Sequence, residues 1–281
     1  MVSWQLRVVH RTGYHYTLPA TTSYNEARLT PRSERGQTVV ASRLDTTPAT
    51  REYRYTDYWG TVVSAFDLHE PHTEFSVVAT SVVTTSGPVS PVRTHTWADL
   101  YRPDVIDAYA EYLQPTAYTP RDAQLDQMAH RLSARTSPAD AVFALTHWAR
   151  EQLTYRPGST GVHSSASDAW AAREGVCQDY AHVALVMLRA IGIPARYVSG
   201  YLYGEPRAEP GRTVRGESHA WVEVWTGGWW AYDPTNALAV GARHVSVARG
   251  RDYADVTPLK GVFTGGGTST LDVAVHLTRL G

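Results

Sequence analysis

The stretch S-G-P-V-S-P, Ser86 to Pro91, divides a chain whose hydrophobic period differs on its two sides. Before it, Val, Thr and Tyr recur in short runs broken by Gly, Pro and Asn, at residues 5–11, 24–29, 38–44, 52–55, 61–68 and 75–84. Strand signals spaced in this way predict an antiparallel sandwich or barrel. After it, apolar residues fall at helical spacing over residues 103–113, 119–134 and onward from Ser137. The fold class that follows is α+β. An N-terminal antiparallel β-sandwich is expected over residues 1–90, and helices packed on an antiparallel sheet over 91–281.

The helix after Ser137 is the best signalled. Ser137 can cap it, Pro138 suits its first position, Asp140 favours its first turn, and Ala141, Leu145, Trp148 and Ala149 form one face. A polar loop over 156–167 and a short helical piece at 168–172 lead to Gly175. Beyond it, Tyr180, Ala184, Met187, Leu188 and Ile191 again share a helical face, which Gly192 and Pro194 terminate. The period then becomes that of strands, at 195–203, 219–225, 229–233 and 271–279. Residues 204–217, with two prolines and three glycines, read as a loop.

Charge and cysteine usage exclude several function classes. A net charge of -1, a pI near 6.9 and scattered Lys and Arg give no basic field for nucleic acid. A single cysteine permits no intramolecular disulfide and no zinc site built on paired thiolates. The first residues lack a basic segment followed by an apolar one, and no apolar run is long enough to span a bilayer, so a soluble cytoplasmic protein with no membrane partner is expected.

A lone cysteine is most often a small core hydrophobe. Cys177, however, follows Gly175-Val176 at the start of a helical pattern, where the positive end of the helix dipole favours thiolate. A second condition is a nearby imidazolium, and the chain has twelve histidines. In S-H-A-W-V-E-V-W-T-G-G-W-W-A-Y-D-P, Ser218 to Pro234, alternation leaves His219, Trp221 and Glu223 on one strand face. With a two-residue Gly227-Gly228 turn, Asp233 would lie opposite Val222, on the wrong side from His219. With a three-residue loop over Thr226 to Gly228 and a left-handed glycine, Asp233 lies opposite Trp221 and diagonal to His219, within side-chain reach.

Four blocks, G-V-C-Q-D-Y-A-H, R-Y-V-S-G-Y, S-H-A-W-V-E-V-W and Y-D-P-T-N, resemble in order the bacterial transglutaminase-like superfamily, whose core is a papain-like cysteine fold. The resemblance covers roughly residues 139–236, and the β-rich start resembles the N-terminal domain that often precedes this core. It implies Cys177 as nucleophile, His219 as base and Asp233 as the residue that orients the imidazolium. It also implies attack on an amide or peptide carbonyl through a thioester. The expected activity is a peptidase or amidase acting on a peptide or amide-bearing substrate. The alternatives are an amine-accepting transglutaminase or amide-forming acyltransferase, and a non-catalytic binding protein on the same scaffold. No cofactor or metal is expected, since no acidic cluster has calcium-ligand spacing. The Cys177 N–H is the expected first oxyanion donor; the second is not legible, since Tyr155 and Trp170, which could supply it, read first as packing aromatics. Asp179 reads as a dipole partner, His182 as a structural hydrogen-bonding residue, the hairpin tryptophans as packing, and Arg251-Asp252-Tyr253 as a structural salt bridge.

Overall fold

The computed structural model describes residues 3–281. Strands β1 (Ser3–Thr30), β2 (Gln37–Thr47), β3 (Tyr53–Thr56), β4 (Val62–Leu68) and β5 (His72–Ser86) form the N-terminal third. The first two runs marked in the sequence are one strand. Residues 3–15 of β1 pair with β5, and its later part, from Ser23, pairs with β4. The register shifts between His15 and Ala20, where the strand passes from one pairing to the other. Both parts contribute to a single apolar cluster in which Phe66 of β4 stands 5.9 Å from Phe75 of β5, the packing expected of a sandwich.

Short helices α1 (Trp97–Leu100) and α2 (Pro103–Ala108) follow, then α3 (Ala123–Ser133) and α4 (Pro138–Gln152). The Ser137 hydroxyl caps α4 by accepting from Asp140 N–H, as its sequence position requires. The two-residue strand β6 (Thr154–Tyr155) precedes α5 (Ala166–Ala172) and pairs in parallel with β7 (Glu174–Gly175), which leads into α6 (Cys177–Ala190). The remaining elements are β8 (Ala195–Leu202), β9 (Thr213–Gly216), β10 (Ser218–Trp225), β11 (Trp229–Asp233), β12 (Leu238–Ala239), β13 (His244–Gly250), β14 (Leu259–Gly265) and β15 (Ser269–Arg279).

Five of these form the second sheet in the order β12-β11-β10-β8-β13, antiparallel throughout. Ala220, Val222 and Val224 of β10 share a buried cluster with Ala181, Ala184, Leu185 and Leu188 of α6, so the cysteine-bearing helix lies against this sheet. The architecture is α+β, with helices packed on an antiparallel sheet behind a β-rich N-terminal part.

The boundary expected near residue 90 does not separate the sheets. Strands β14 and β15 both pair with β1, and β9, inside the segment expected to be a loop, pairs with β15. The first sheet is therefore completed by residues beyond 210. The cores are also continuous, since Leu6, Val8 and Val83 cluster with Tyr201, Val275 and the α6 residues. The first part of β1 alternates, burying Trp4, Leu6 and Val8 on one face, and that face finds its cover on the later half of the chain.

Candidate active site

Cys177 is the first residue of α6. The helix begins there because the Asp179 carboxylate turns back to accept the Val176 N–H at 2.7 Å, and Thr160 donates to the same oxygen at 2.6 Å. Asp179 is fully buried, so burial pushes its carboxyl up, against these hydrogen bonds. Gly175 makes the turn possible, because a Cβ there would lie 2.6 Å from the Asp179 Cβ. The dipole reading of Asp179 thus becomes a specific one, a cap that fixes the first turn beneath the sulfur.

The hairpin adopts the three-residue form. Trp225 pairs with Trp229, Val224 with Trp230 and Val222 with Tyr232, leaving Thr226 to Gly228 as the loop. Gly227 has φ +99°, and a Cβ on it would lie 2.2 Å from the His95 ring. The parity carries Asp233 to the face of His219, and the His219 Nε2 stands 2.7 Å from Asp233 Oδ2. β10 begins beside the N-terminus of α6, where the Cys177 sulfur lies 4.0 Å from the Ser218 carbonyl oxygen. Cys177 and His219 thereby line one cleft, and Asp233 bonds to the imidazole.

The electrostatics favour an ion pair. Burial disfavours charge on His219, but the Asp233 hydrogen bond and charge, with Cys177 nearby, outweigh it and raise the imidazole to about 10. Burial likewise opposes the Asp233 charge, yet its hydrogen bonds hold the carboxyl well below the usual range. Asp233 has no exposed surface. Its Oδ1 accepts the Thr235 and Asn236 N–H groups at 3.0 and 3.1 Å, and its Oδ2 accepts the Asn236 side-chain amide at 2.8 Å.

Two members of this shell escaped the sequence reading. Asn236 stands three residues after Asp233, in a turn that the D-P-T-N spelling announces. His244 comes from β13, a strand that the sequence did not reveal, and its Nε2 lies 3.5 Å from Asp233 Oδ2. The nitrogens of His219 and His244 and the Asp233 oxygen lie within 4.8 Å of one another, donors that a zinc-like cation could use. The Asn236 amide N–H already points at the same carboxylate oxygen, however, so a cation would have to displace it.

A cleft of about 540 Å³ opens over the sulfur, lined by Tyr155, Tyr180, Leu202, Glu217, His219 and Asn236 among others. Tyr155 is half exposed in it, and burial and the nearby Cys177 and Glu217 charges raise its hydroxyl, which keeps it a proton donor. Trp170 instead donates its indole N–H to Gln124 at 3.2 Å. Of the two sequence candidates for the second oxyanion donor, Tyr155 is the one in the cleft. His182 is fully buried and accepts the Tyr253 N–H at 3.2 Å, a structural role as expected. Arg251 pairs with Asp255 at 3.0 Å, whereas Asp252 caps the turn that follows by accepting from Ala254 N–H. The expected bridge therefore involves a different acid.

On the same face of β10, Glu223 is buried between Arg196 at 2.6 Å and Arg249 at 2.8 Å, and Arg249 reaches Glu34 of the N-terminal part at 2.5 Å. The two guanidinium groups overcome the cost of burial and hold the Glu223 carboxyl down at about 2. Gln37 adds a two-way bond to the backbone of Ser246. The N-terminal part thus braces β13, which carries His244.

Comparisons with known proteins bear on the family and the fold. Residues 6–84 match the bacterial transglutaminase-like N-terminal region. An uncharacterized protein of Mycobacterium leprae (strain TN) is 54% identical over 277 residues, covering 99% of both chains. A protein-glutamine gamma-glutamyltransferase of Pseudomonas aeruginosa is 32% identical over 156 residues, which is 52% of this chain and 23% of that protein. The crystal structure of a candidate cysteine protease from Cytophaga hutchinsonii superposes with a TM-score of 0.79 at 24% identity, covering 100% of this chain and 92% of that one, and shares its fold. The profile of the transglutaminase-like superfamily spans residues 126–234, the interval that holds Cys177, His219 and Asp233, and the chain belongs to that superfamily.

Proposed function

We propose that this protein is a cysteine-dependent acyl-transfer enzyme acting on amide or peptide substrates, with water as the principal acceptor. The observation that carries the reading is the 2.7 Å contact from His219 to buried Asp233, with His219 and Cys177, the first residue of α6, lining the same cleft. Nucleophile, base and orienting acid stand in the order that such chemistry requires. Because Nε2 faces Asp233, Nδ1 is the nitrogen that exchanges protons with the sulfur and the substrate.

In the first half-reaction the Cys177 thiolate attacks the carbonyl carbon and a C–S bond forms. The oxyanion is met by the Cys177 N–H, with the Tyr155 hydroxyl as second donor. His219 Nδ1 then gives its proton to the leaving nitrogen, the C–N bond breaks, and a thioester remains. In the second half, neutral His219 takes a proton from the attacking water, the C–S bond breaks, and the carboxylic acid leaves with the Cys177 thiolate and the His219 imidazolium restored. The openness of the cleft beside half-exposed Tyr155 and Glu217 favours water. A second reading, transfer to a primary amine, is favoured by the likeness to the protein-glutamine gamma-glutamyltransferase of Pseudomonas aeruginosa. A third, a non-catalytic binding protein, would leave the buried carboxylate and its donors without a purpose.

Labelling with an electrophilic acyl probe, followed by mass spectrometry with and without a primary amine, tests all three. Acylation at Cys177 that decays to free enzyme and acid supports hydrolysis. An amide adduct supports transfer. Absence of label at Cys177 under conditions that label a free thiol would overturn the enzymatic reading.

A further inference from the structure

His244 is the buried imidazole for which the proposed triad has no use. It is 4% exposed, and its Nδ1 accepts the Gly241 N–H at 3.3 Å. That bond fixes the neutral tautomer, with the proton on Nε2. The Nε2–H meets no partner at full hydrogen-bond geometry, yet Asp233 Oδ2 lies only 3.5 Å from that nitrogen. The Trp221 ring packs edge-on against it at 5.3 Å, and the His219 ring lies 6.3 Å away. Leaving a buried N–H unpaired costs stability, so an orphan beside a buried carboxylate calls for an account.

We propose that His244 is a positioning residue that acts through Asp233, a reserve donor that closes on the carboxylate when His219 gives up its positive charge. This inference rests on the triad reading above. In the resting ion pair, the His219 imidazolium compensates the buried carboxylate. Once His219 has passed its Nδ1 proton to the leaving nitrogen, Asp233 faces only neutral groups. The 3.5 Å approach can then shorten to a full N–H···O⁻ bond, which strengthens as charge is uncovered. The donor thus makes it easier for His219 to part with its proton.

The groups facing His244 agree with a neutral donor. Asp233 from β11 would raise its proton affinity, but burial, the His219 charge from β10 and the neighbouring Arg243 oppose it and lower it from the ordinary histidine value. A cationic His244 would instead neutralise Asp233 and take away the field that holds the His219 proton. The position is braced from behind by the Gln37–Ser246 bonds.

The test is side-chain nitrogen NMR on histidine-labelled full-length protein, which needs no substrate. His244 should show the neutral Nε2–H tautomer from about pH 5 to about pH 9. In His244→Leu the titration of His219 should move up by about one pH unit, a tenfold tighter hold on its proton, and in His244→Gln, which restores an N–H, it should return. A charged or Nδ1–H His244, or equal His219 titrations in the Leu and Gln variants, would overturn the proposal. If the Leu variant does not fold, the tautomer in the unaltered protein still decides. Failure of the triad reading would show itself separately, as absence of acyl label on Cys177 in a protein whose histidine spectra are as described.

Discussion

Replacement of Asp233 by asparagine isolates the orienting acid, since it keeps the shape and removes the charge. At present two backbone N–H groups hold Oδ1, and the His219 ring and the Asn236 amide hold Oδ2. An amide has one oxygen. If that oxygen stays with the backbone pair, the new Nδ2 faces His219 Nε2, which must then offer a lone pair and carry its proton on Nδ1, toward the sulfur. In that tautomer His219 cannot accept the thiol proton. The energetic scale follows from the imidazole, raised from 6.5 to about 10 against burial by Asp233 and Cys177 together. That span is worth about 5 kcal/mol of preference for the imidazolium, much of which the substitution removes. Turnover should fall by about ten-thousandfold, as when a triad loses its acid. The loss of buried bonds should cost about 1–3 kcal/mol of stability, which leaves the fold intact. The assay is the rate of acylation by p-nitrophenyl acetate, alongside alkylation by iodoacetamide, with circular dichroism as the check on folding. A folded Asp233→Asn protein that acylates within tenfold of the unaltered rate would refute the assignment.

Gly227→Val should impair activity at temperatures well below its melting point, because a β-branched residue at φ +99° must also displace the His95 ring and so tilt the hairpin; full activity would show that the loop has slack. Arg249→Met leaves Glu34 without its guanidinium partner and Glu223 with only Arg196, and urea denaturation should show a loss of about 3–5 kcal/mol, whereas a loss below about 1 would mean that the cluster is effectively solvated. Burial lowers His10 to about 4 and His182 to about 3, so their contribution is complete above about pH 6.5 and is lost as the pH falls through those values, about 3 kcal/mol for His10 alone. Glu223, depressed to about 2, adds to the acid loss below 4.5, while raised His219 contributes fully below 6.5 and loses its contribution as the pH climbs to about 10. Thermal melting against pH should therefore peak between these limits and decline on both sides, and a flat profile from about pH 3 to about pH 7 would contradict the acid limb.

What could be read from the sequence was what local chemistry encodes. The cap of α4, the start of α6 at Cys177 and the parity of the β10–β11 hairpin all depend on residues within a few positions of one another. Pairings that join distant segments left little trace. β1 reads as separate runs because Gly13 and Pro19 look like turn punctuation, yet the strand continues past both, with its pairing changing beyond Pro19. β13 and β14 were not marked, and the pairing of β14 with β1 is a tertiary choice. For the same reason Asn236 was within reach, inside a quoted turn motif, whereas His244 was not. Its relation to Asp233 exists only once β13 has docked on β8.

The placing of β15 beside β1 has a consequence for how the protein is made. Leu6 pairs with Arg279, and the Gln5 backbone bonds to both Leu280 and Gly281. On a ribosome adding about 5–20 residues per second, the first strand waits some tens of seconds for this partner to be synthesised. During that time the edge of β1 that β15 will cover is an open row of N–H and C=O groups, free to join another chain. Nascent chains crowded on one messenger are thus the place where this fold is most exposed to misassembly, and a chaperone that shields an extended edge would act on it before any of the chemistry at Cys177 exists.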